Sequence, residues 1–149
     1  MIDAGMELAP PDWPRGGDVI RAQDFGPFAQ AALARYAAVS GDDNPLHLDP
    51  NAARAAGLAG TPAHGMLTFS CFEPLIMRWR RDLFIARLSG KFLRPVLAGE
   101  AIQVSGRVIR RREVPRPELI LRLTARTQNN DLAVVGEATV LYKIPGQLG

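Results

Sequence analysis

The 149-residue sequence has a single cysteine, Cys71, and few aromatic residues, only 7% of the chain. One thiol cannot form an internal disulfide, and a Cys-rich metal site is excluded. No apolar run approaches the roughly 20 residues that span a bilayer, and no charged segment followed by an apolar one opens the chain as a signal peptide would. We therefore expect an unexported, cytoplasmic protein without a membrane span, a bound metal or a cofactor.

The composition is that of one globular domain. Hydrophobic residues make up 47% and charged residues 22% of the chain, which excludes disorder, a collagen-like repeat and a fibrous coiled coil. Residues 1–17 are rich in proline and glycine and show no period, so we interpret them as an irregular arm. Residues 18–149 then form the single domain.

Lysine is scarce, since 16 of the 18 basic residues are arginine, against 15 acidic residues. The basic residues gather in two groups, and these groups suit either a polyanionic partner or a solvated face equally well. No aromatic side chains alternate with them as stacking platforms, so we expect no nucleic-acid partner. The first group contains Arg78, Arg80, Arg81, Arg87, Lys91 and Arg94, and the second contains Arg107, Arg110, Arg111 and Arg112.

The first half of the chain has helical patterns. Apolar spacing predicts a helix over residues 29–39, and Asp49 with Pro50 predicts a capped short helix that ends at Gly57. Between them, residues 41–47 form a polar loop. Residues 64–79 are apolar all round, as a buried helix would be, and Pro74 should kink or split it.

Strand patterns dominate the second half. Alternating apolar residues predict strands over residues 102–108, 119–126 and 132–142, with a hairpin turn at Asn129-Asn130-Asp131. Residues 88–96 are a further strand candidate, and a weakly specified first strand lies within residues 19–28. The order indicates an α+β fold with helix on one face of an antiparallel sheet.

The polar loop places Asp42, Asn44 and His47 within six residues. A carboxylate and an imidazole at this spacing can hold and activate one water, with the imidazole taking a proton while the carboxylate gives or accepts another. The Asn44 amide can orient that water. The alternative is an ordinary turn, in which Asp42 and Asn44 bond their own backbone and His47 lies at the surface.

A second element, Pro62-Ala63-His64-Gly65-Met66-Leu67, places a glycine at the start of the buried helix. Gly65 would let a substrate carbonyl approach free backbone N–H groups at the positive end of the helix. The alternative is a glycine required only for packing. For the adjacent His64, a structural interior role is favoured over a functional one.

The two elements together, Ser40-Gly41-Asp42-Asp43-Asn44-Pro45-Leu46-His47 and Ala63-His64-Gly65-Met66-Leu67, resemble the hydratase motif of MaoC-like enzymes. This family comprises (R)-specific enoyl-CoA hydratases and (3R)-hydroxyacyl-ACP dehydratases. The resemblance implies a hotdog fold, in which an antiparallel sheet wraps a central helix, here from Met66 to about Trp79. It also implies that Asp42 and His47 are the catalytic dyad, that Asn44 supports the dyad and its water, and that the Gly65 amide polarises the thioester carbonyl.

The expected activity is reversible hydration of trans-2-enoyl thioesters of CoA or acyl-carrier protein to (3R)-3-hydroxyacyl thioesters. A hotdog thioesterase, with Glu73 as its carboxylate on the central helix, and a non-catalytic acyl-thioester binder are the alternatives. We expect a homodimer whose two sheets join, and a heterodimer with a related subunit is the alternative. The expected phosphate-binding rim consists of Arg78, Arg80, Arg87, Lys91 and Arg94. The arginine run at 110–112 matches no motif of the family.

Overall fold

The computed structural model describes residues 8–145, which form one five-stranded antiparallel sheet with helices on one face. The strand order is β1-β3-β4-β5-β2, so β1 and β2 are the two edges. No helix within this range is long and apolar enough to cross a membrane. The strands are β1 (Val19–Phe25), β2 (Leu83–Phe92), β3 (Ile102–Arg112), β4 (Glu118–Thr127) and β5 (Leu132–Tyr142).

The helices are short and all precede the long strands. They are α1 (Gln30–Ser40), α2 (Pro50–Ala55), α3 (Gly65–Phe69) and α4 (Phe72–Trp79), and a 3-10 turn, Pro45–His47, lies before α2. The predicted first two helices are confirmed. In α2 the Asp49 carboxylate accepts the Asn51 N–H at 2.8 Å, and Pro50 occupies the first turn, as a capped start requires.

The central helix is split, but not at Pro74. It divides into α3 and α4 at Ser70 and Cys71, and Pro74 lies in the first turn of α4. In a continuous helix the Ser70 carbonyl would need the N–H that proline lacks, and here it accepts the Glu73 N–H at 3.2 Å instead. The expectation of a helix apolar all round is also wrong, because Met66 is 55% exposed and Glu73 is exposed.

The sheet wraps around α4. This helix contacts both edge strands, β1 and β2, as well as β3 near the middle of the sheet. Its buried residues Phe72, Leu75 and Ile76 lie at positions i, i+3 and i+4, which places them on one face against the sheet. The hotdog arrangement expected from the resemblance is therefore present.

Two glycines opposite each other on β2 and β5 admit the aromatic rings of the split helix. Gly90 pairs with Gly136, and a Cβ on Gly90 would lie 2.6 Å from the Phe69 ring. A Cβ on Gly136 would lie 2.9 Å from the Phe72 ring. Any larger residue at either position would therefore push α3 or α4 away from the sheet.

The strand candidate over residues 88–96 has the wrong limits, since β2 starts at Leu83 and ends at Phe92. Leu83 is the one fully buried residue of β2, so the strand has little apolar alternation from which its first residue could be predicted. The first strand is β1, and it ends at Phe25, before the turn at Gly26 with φ 99°. The hairpin at Asn129–Asp131 is confirmed, and Asn130 has φ 64°.

Residues 8–17 are irregular, yet Trp13 is buried in the core with 3% of its surface exposed. The Arg80 guanidinium lies over the Trp13 ring at 5.7 Å and forms ion pairs with Asp12 at 2.9 Å and Asp82 at 2.6 Å. The hydrogen bond with Asp82 raises the pKa of Arg80, and that with Arg80 lowers the pKa of Asp12. The Asp12 contribution to stability is therefore present at neutral pH and is lost as the pH falls through its lowered pKa.

We predict that Arg80→Ala lowers the free energy of unfolding by about 1–3 kcal/mol, because a mostly buried cation with two carboxylate partners is lost. Arg80→Lys retains the charge but not the planar fork, so it should recover only part of that loss. Arg110→Ala, at an exposed position of β3, serves as the control and should stay within about 0.5 kcal/mol. Urea unfolding followed by circular dichroism measures the free energy of unfolding of all three variants. An Arg80→Ala variant as stable as the wild type would show that the ion pairs of Arg80 do not stabilise the fold.

Candidate active site

The polar loop leaves α1 through a glycine. Gly41 has φ 79°, a left-handed conformation that favours glycine, and its N–H donates to the Ala37 carbonyl at 3.0 Å. The chain then turns away from the helix, and the Asp42 N–H donates to the Ser40 hydroxyl at 3.2 Å. Asp42 therefore starts the loop, with its side chain 51% exposed.

Asn44 caps the 3-10 turn that ends in His47. Its side-chain oxygen accepts the Leu46 N–H at 3.0 Å, which is the local turn geometry that was the alternative to a catalytic role. Within the described residues, its amide nitrogen makes no hydrogen bond to protein. The cap sets the path of the loop, and the amide nitrogen is left to bind a water or a ligand.

His47 and Asp42 face each other across the loop. The His47 ring donates from Nδ1 to the Pro62 carbonyl at 2.7 Å, so in the neutral imidazole Nε2 is the proton acceptor. This Nε2 lies 3.8 Å from the Asp42 Oδ2. At that separation one water oxygen can lie about 2.8 Å from both atoms. The pair can therefore hold one water between a proton acceptor and a carboxylate.

Two residues that the sequence analysis missed hold His47 in place. Gln30, the first residue of α1, donates from its amide to the His47 carbonyl at 2.8 Å. The hydroxyl of Thr61, which is 3% exposed, donates to the Gln30 amide oxygen. Neither residue belongs to a recognisable motif, so no pattern in the sequence could have identified them.

His64 joins the two motifs. Its side chain is fully buried, its Nε2 donates to the Asp42 carbonyl at 3.0 Å, and its ring stacks on His47 with centroids 4.0 Å apart. Tyr36 of α1 lies against the ring at 4.7 Å. The two segments that the sequence pattern singled out are thus in direct contact.

Asp42, His47 and His64 present ligand atoms within 4.8 Å of one another, which raises the question of a metal. The two imidazole planes differ by only 23°, so their lone pairs run nearly parallel rather than converging on one point. In addition, one nitrogen of each ring is already bonded to a carbonyl oxygen. The arrangement suits a shared water better than a tetrahedral ion.

A cavity of about 270 Å³ lies along the segment that carries Gly65; its lining includes Pro62, whose carbonyl accepts the His47 N–H, but neither Asp42 nor His47. The Gly65 N–H starts α3 at its wall and has no hydrogen-bond partner among residues 8–145. A Cβ on Gly65 would lie 3.1 Å from the Phe92 ring, so glycine keeps this approach open. The lining residues are Pro62, Ala63, Gly65, Thr68, Phe92, Leu93, Arg94, Pro95 and Val96.

The structure does not bring the five candidate rim residues together. Arg94 lines the cavity beside Gly65 and lies 3.6 Å from Asp131. Arg87 and Lys91 are exposed on β2, and Lys91 borders a separate surface depression with Arg122. Arg78 donates to Gln23 at 3.0 Å with its guanidinium over the Phe25 ring, and Arg80 belongs to the Trp13 cluster.

Two other residues of the helix region have chemistry of interest. Burial raises the pKa of the Cys71 thiol to about 11, so the group is protonated at neutral pH and is no nucleophile. Glu73 is exposed in the first turn of α4, and it does not line the cavity next to Gly65.

A sheet wrapped around a helix, with a His–Asp pair on a loop that packs against the start of that helix, is the arrangement of a hotdog-fold domain. The chain belongs to the MaoC-like domain family, whose model matches residues 15–128. It is 36% identical to the (R)-specific enoyl-CoA hydratase of Aeromonas caviae, over 79% of this chain and 87% of that protein. It is 35% identical to a mitochondrial 3-hydroxyacyl-[acyl-carrier-protein] dehydratase of Arabidopsis thaliana, over 84% of this chain and 75% of that protein.

A solved structure gives the same result. The (R)-hydratase from A. caviae involved in PHA biosynthesis superposes with a TM-score of 0.80 at 32% identity, covering 90% of this chain and 99% of that chain. The expected fold and the expected hydratase and dehydratase family are confirmed by these comparisons.

Proposed function

We propose that the protein reversibly adds water to a trans-2-enoyl thioester of CoA or acyl-carrier protein, giving the (3R)-3-hydroxyacyl thioester. The observation that carries the proposal is the facing pair of His47 Nε2 and Asp42 Oδ2, 3.8 Å apart, which is hydrogen-bonded to the segment that carries Gly65. The chain's hydratase and dehydratase relatives support it. Because the reaction is reversible, the same groups serve dehydration.

The chemistry assigns a role to each group. The dyad removes a proton from the bound water, whose oxygen adds to C3, and returns a proton to C2, so that one water is added overall. Asn44 supports the water, and the Gly65 N–H binds the thioester oxygen as it gains negative charge. This N–H is free to do so because nothing within the described chain occupies it.

Nothing observed favours the thioesterase or the non-catalytic binder. Among the described residues Glu73 has no facing imidazole as Asp42 has, and a binder would not require the His47–Asp42 pair, of which both members are present. Assaying free thiol release together with enoyl consumption separates hydrolysis from hydration in one reaction mixture.

For the dyad, we predict that Asp42→Asn and His47→Ala each lower the turnover of crotonyl-CoA by about 10²–10⁴-fold. The double variant should be about as inactive as the worse single variant, since both groups act on one water. Asp43→Asn is the control, an exposed acid of the same loop, and it should keep activity within about twofold. Loss of the conjugated thioester absorbance measures the rate. A His47→Ala variant with near-normal turnover would contradict the proposed function.

Of the five basic residues expected at the rim, Arg94 has the best position to bind a substrate phosphate. It is 64% exposed at the wall of the Gly65 cavity, and its partner Asp131, at 3.6 Å, is itself 45% exposed. A guanidinium in such a weak surface pair can exchange its carboxylate for a phosphate. Arg87 and Lys91 on the exposed face of β2 are second candidates, while Arg78 and Arg80 already have partners in the fold.

Arg94→Glu should raise the KM for crotonyl-CoA about tenfold and leave turnover of a truncated pantetheine thioester nearly unchanged, because the shorter substrate lacks the distant phosphates. The variant should also weaken the salt dependence of KM. Arg107→Glu, on β3, is the matched charge reversal and should not alter KM. Equal losses with both substrates would show damage to the fold or the dyad instead.

We also propose a homodimer in which the β2 strands of two copies pair. Within residues 8–145, strand β2 pairs with β5 alone, so its other edge presents N–H and C=O groups along a strand of ten residues without a partner strand in this range. Phe84 and Phe92 on this strand and the adjacent Leu93 are 54%, 51% and 47% exposed. A second copy along this edge would cover these side chains and extend the sheet.

Sedimentation at micromolar concentration should give a species of twice the chain's mass. Phe84→Lys should shift it towards monomer, because a charge is placed in an apolar contact. Ile109→Lys is the control, since Ile109 is 37% exposed on β3, away from the β2 edge. A wild-type monomer would contradict the homodimer, and activity gained on adding a related subunit would identify a heterodimer.

For the compartment, we propose the cytoplasm. The single cysteine, which is buried in the core, supports a protein that does not depend on an oxidising environment.

A further inference from the structure

His64 is a fully buried imidazole with an unusual set of contacts. Its Nε2 donates to the Asp42 carbonyl at 3.0 Å, and its ring lies between those of His47 at 4.0 Å and Tyr36 at 4.7 Å. Its Nδ1 is buried and has no hydrogen-bond partner within the described residues. An apolar side chain would fill the same volume without leaving this nitrogen unsatisfied. Packing therefore does not account for a histidine here, whereas the bond to Asp42 does.

Asp42 needs such a contact because its other hydrogen bonds are long and local. It lies on a loop with a half-exposed side chain, its N–H donates to the Ser40 hydroxyl at 3.2 Å, and its Oδ1 accepts the Asn44 N–H at 3.5 Å. His47, by contrast, is fixed through Pro62 and Gln30. Catalysis by two groups on one water requires both to be held in place, and displacement by about 1 Å can reduce a rate by about 10²-fold.

We propose that His64 is a positioning residue, whose Nε2–H anchors the Asp42 main chain and so sets the distance between Asp42 and His47. This inference rests on the proposed function of the dyad. His64 acts through Asp42 and does not itself exchange a proton with the substrate. Its effect belongs to the chemical step, so it should change kcat much more than KM.

Two substitutions separate the hydrogen bond from the ring. His64→Phe keeps a stacking ring and removes the donor, whereas His64→Gln keeps an N–H donor in place of Nε2 and removes the ring. With crotonyl-CoA, His64→Phe should lower kcat by about 30- to 100-fold with KM within about threefold, and His64→Gln should recover most of the loss. Cys71→Ala, a buried substitution near the helix break without contact to the dyad, controls for lost stability and should retain kcat.

Hydrogen exchange of the wild-type and variant proteins gives a readout that is independent of activity. Amide protection over residues 41–47 should fall in His64→Phe and be kept in His64→Gln, while α1 stays protected in both. A His64→Phe variant with wild-type kcat and wild-type protection overturns the inference, as does a His64→Gln variant no better than His64→Phe. Wild-type protein without hydratase activity would instead refute the proposed function, and the exchange pattern would still decide whether His64 anchors the loop.

Discussion

The seating of the two-part helix on the sheet is the constraint on which the rest of the molecule depends. Phe69 and Phe72 enter the sheet where Gly90 faces Gly136, and no side chain could be added at either glycine without a clash. Each fully buried apolar side chain of α4 contributes about 1.5–3 kcal/mol. The packing of Phe69 and Phe72 against the sheet therefore also fixes the position of Gly65, the first residue of α3.

The active site is held by side chains that bond to main-chain carbonyls. His47 donates to Pro62, His64 donates to Asp42, and Gln30 donates to His47. Each bond fixes the backbone of a segment rather than another flexible side chain. These bonds therefore tie the Asp42–His47 loop to the segment at the start of α3, while the Asp42 side chain stays half-exposed.

The motifs of the site were predictable because each is compact in the sequence. Asp42, Asn44, His47 and Gly65 lie in two short polar segments, and the helix caps and the Asn-Asn-Asp hairpin are chemical signatures that need no tertiary information. Gln30 and Thr61 carry no such signature, since their role arises only when α1 packs beside the loop. The limits of β2 could not be predicted for a related reason. Pairing with β5, rather than apolar alternation, determines where that strand begins and ends.

The basic residues show most clearly what composition cannot predict. Arg80 and Arg94 belong to the same group in the sequence, yet one is packed over Trp13 and the other lies at the mouth of a cavity. The same guanidinium group can stabilise the fold or bind a ligand. In Arg80 it stacks on a ring and forms ion pairs, whereas in Arg94 it is exposed to solvent. Only the surrounding chain distinguishes them.

The strand order also predicts a sequence of events during folding. Strands β3, β4 and β5 pair with their neighbours in the chain, so this meander closes only short loops. The outer strands, β1 and β2, have partners far away in the chain, and closing those long loops carries a larger entropic penalty. The helices and the polar loop lie between these two late strands. We therefore expect the Asp42–His47 pair to be assembled late in folding, when β1 and β2 join the sheet.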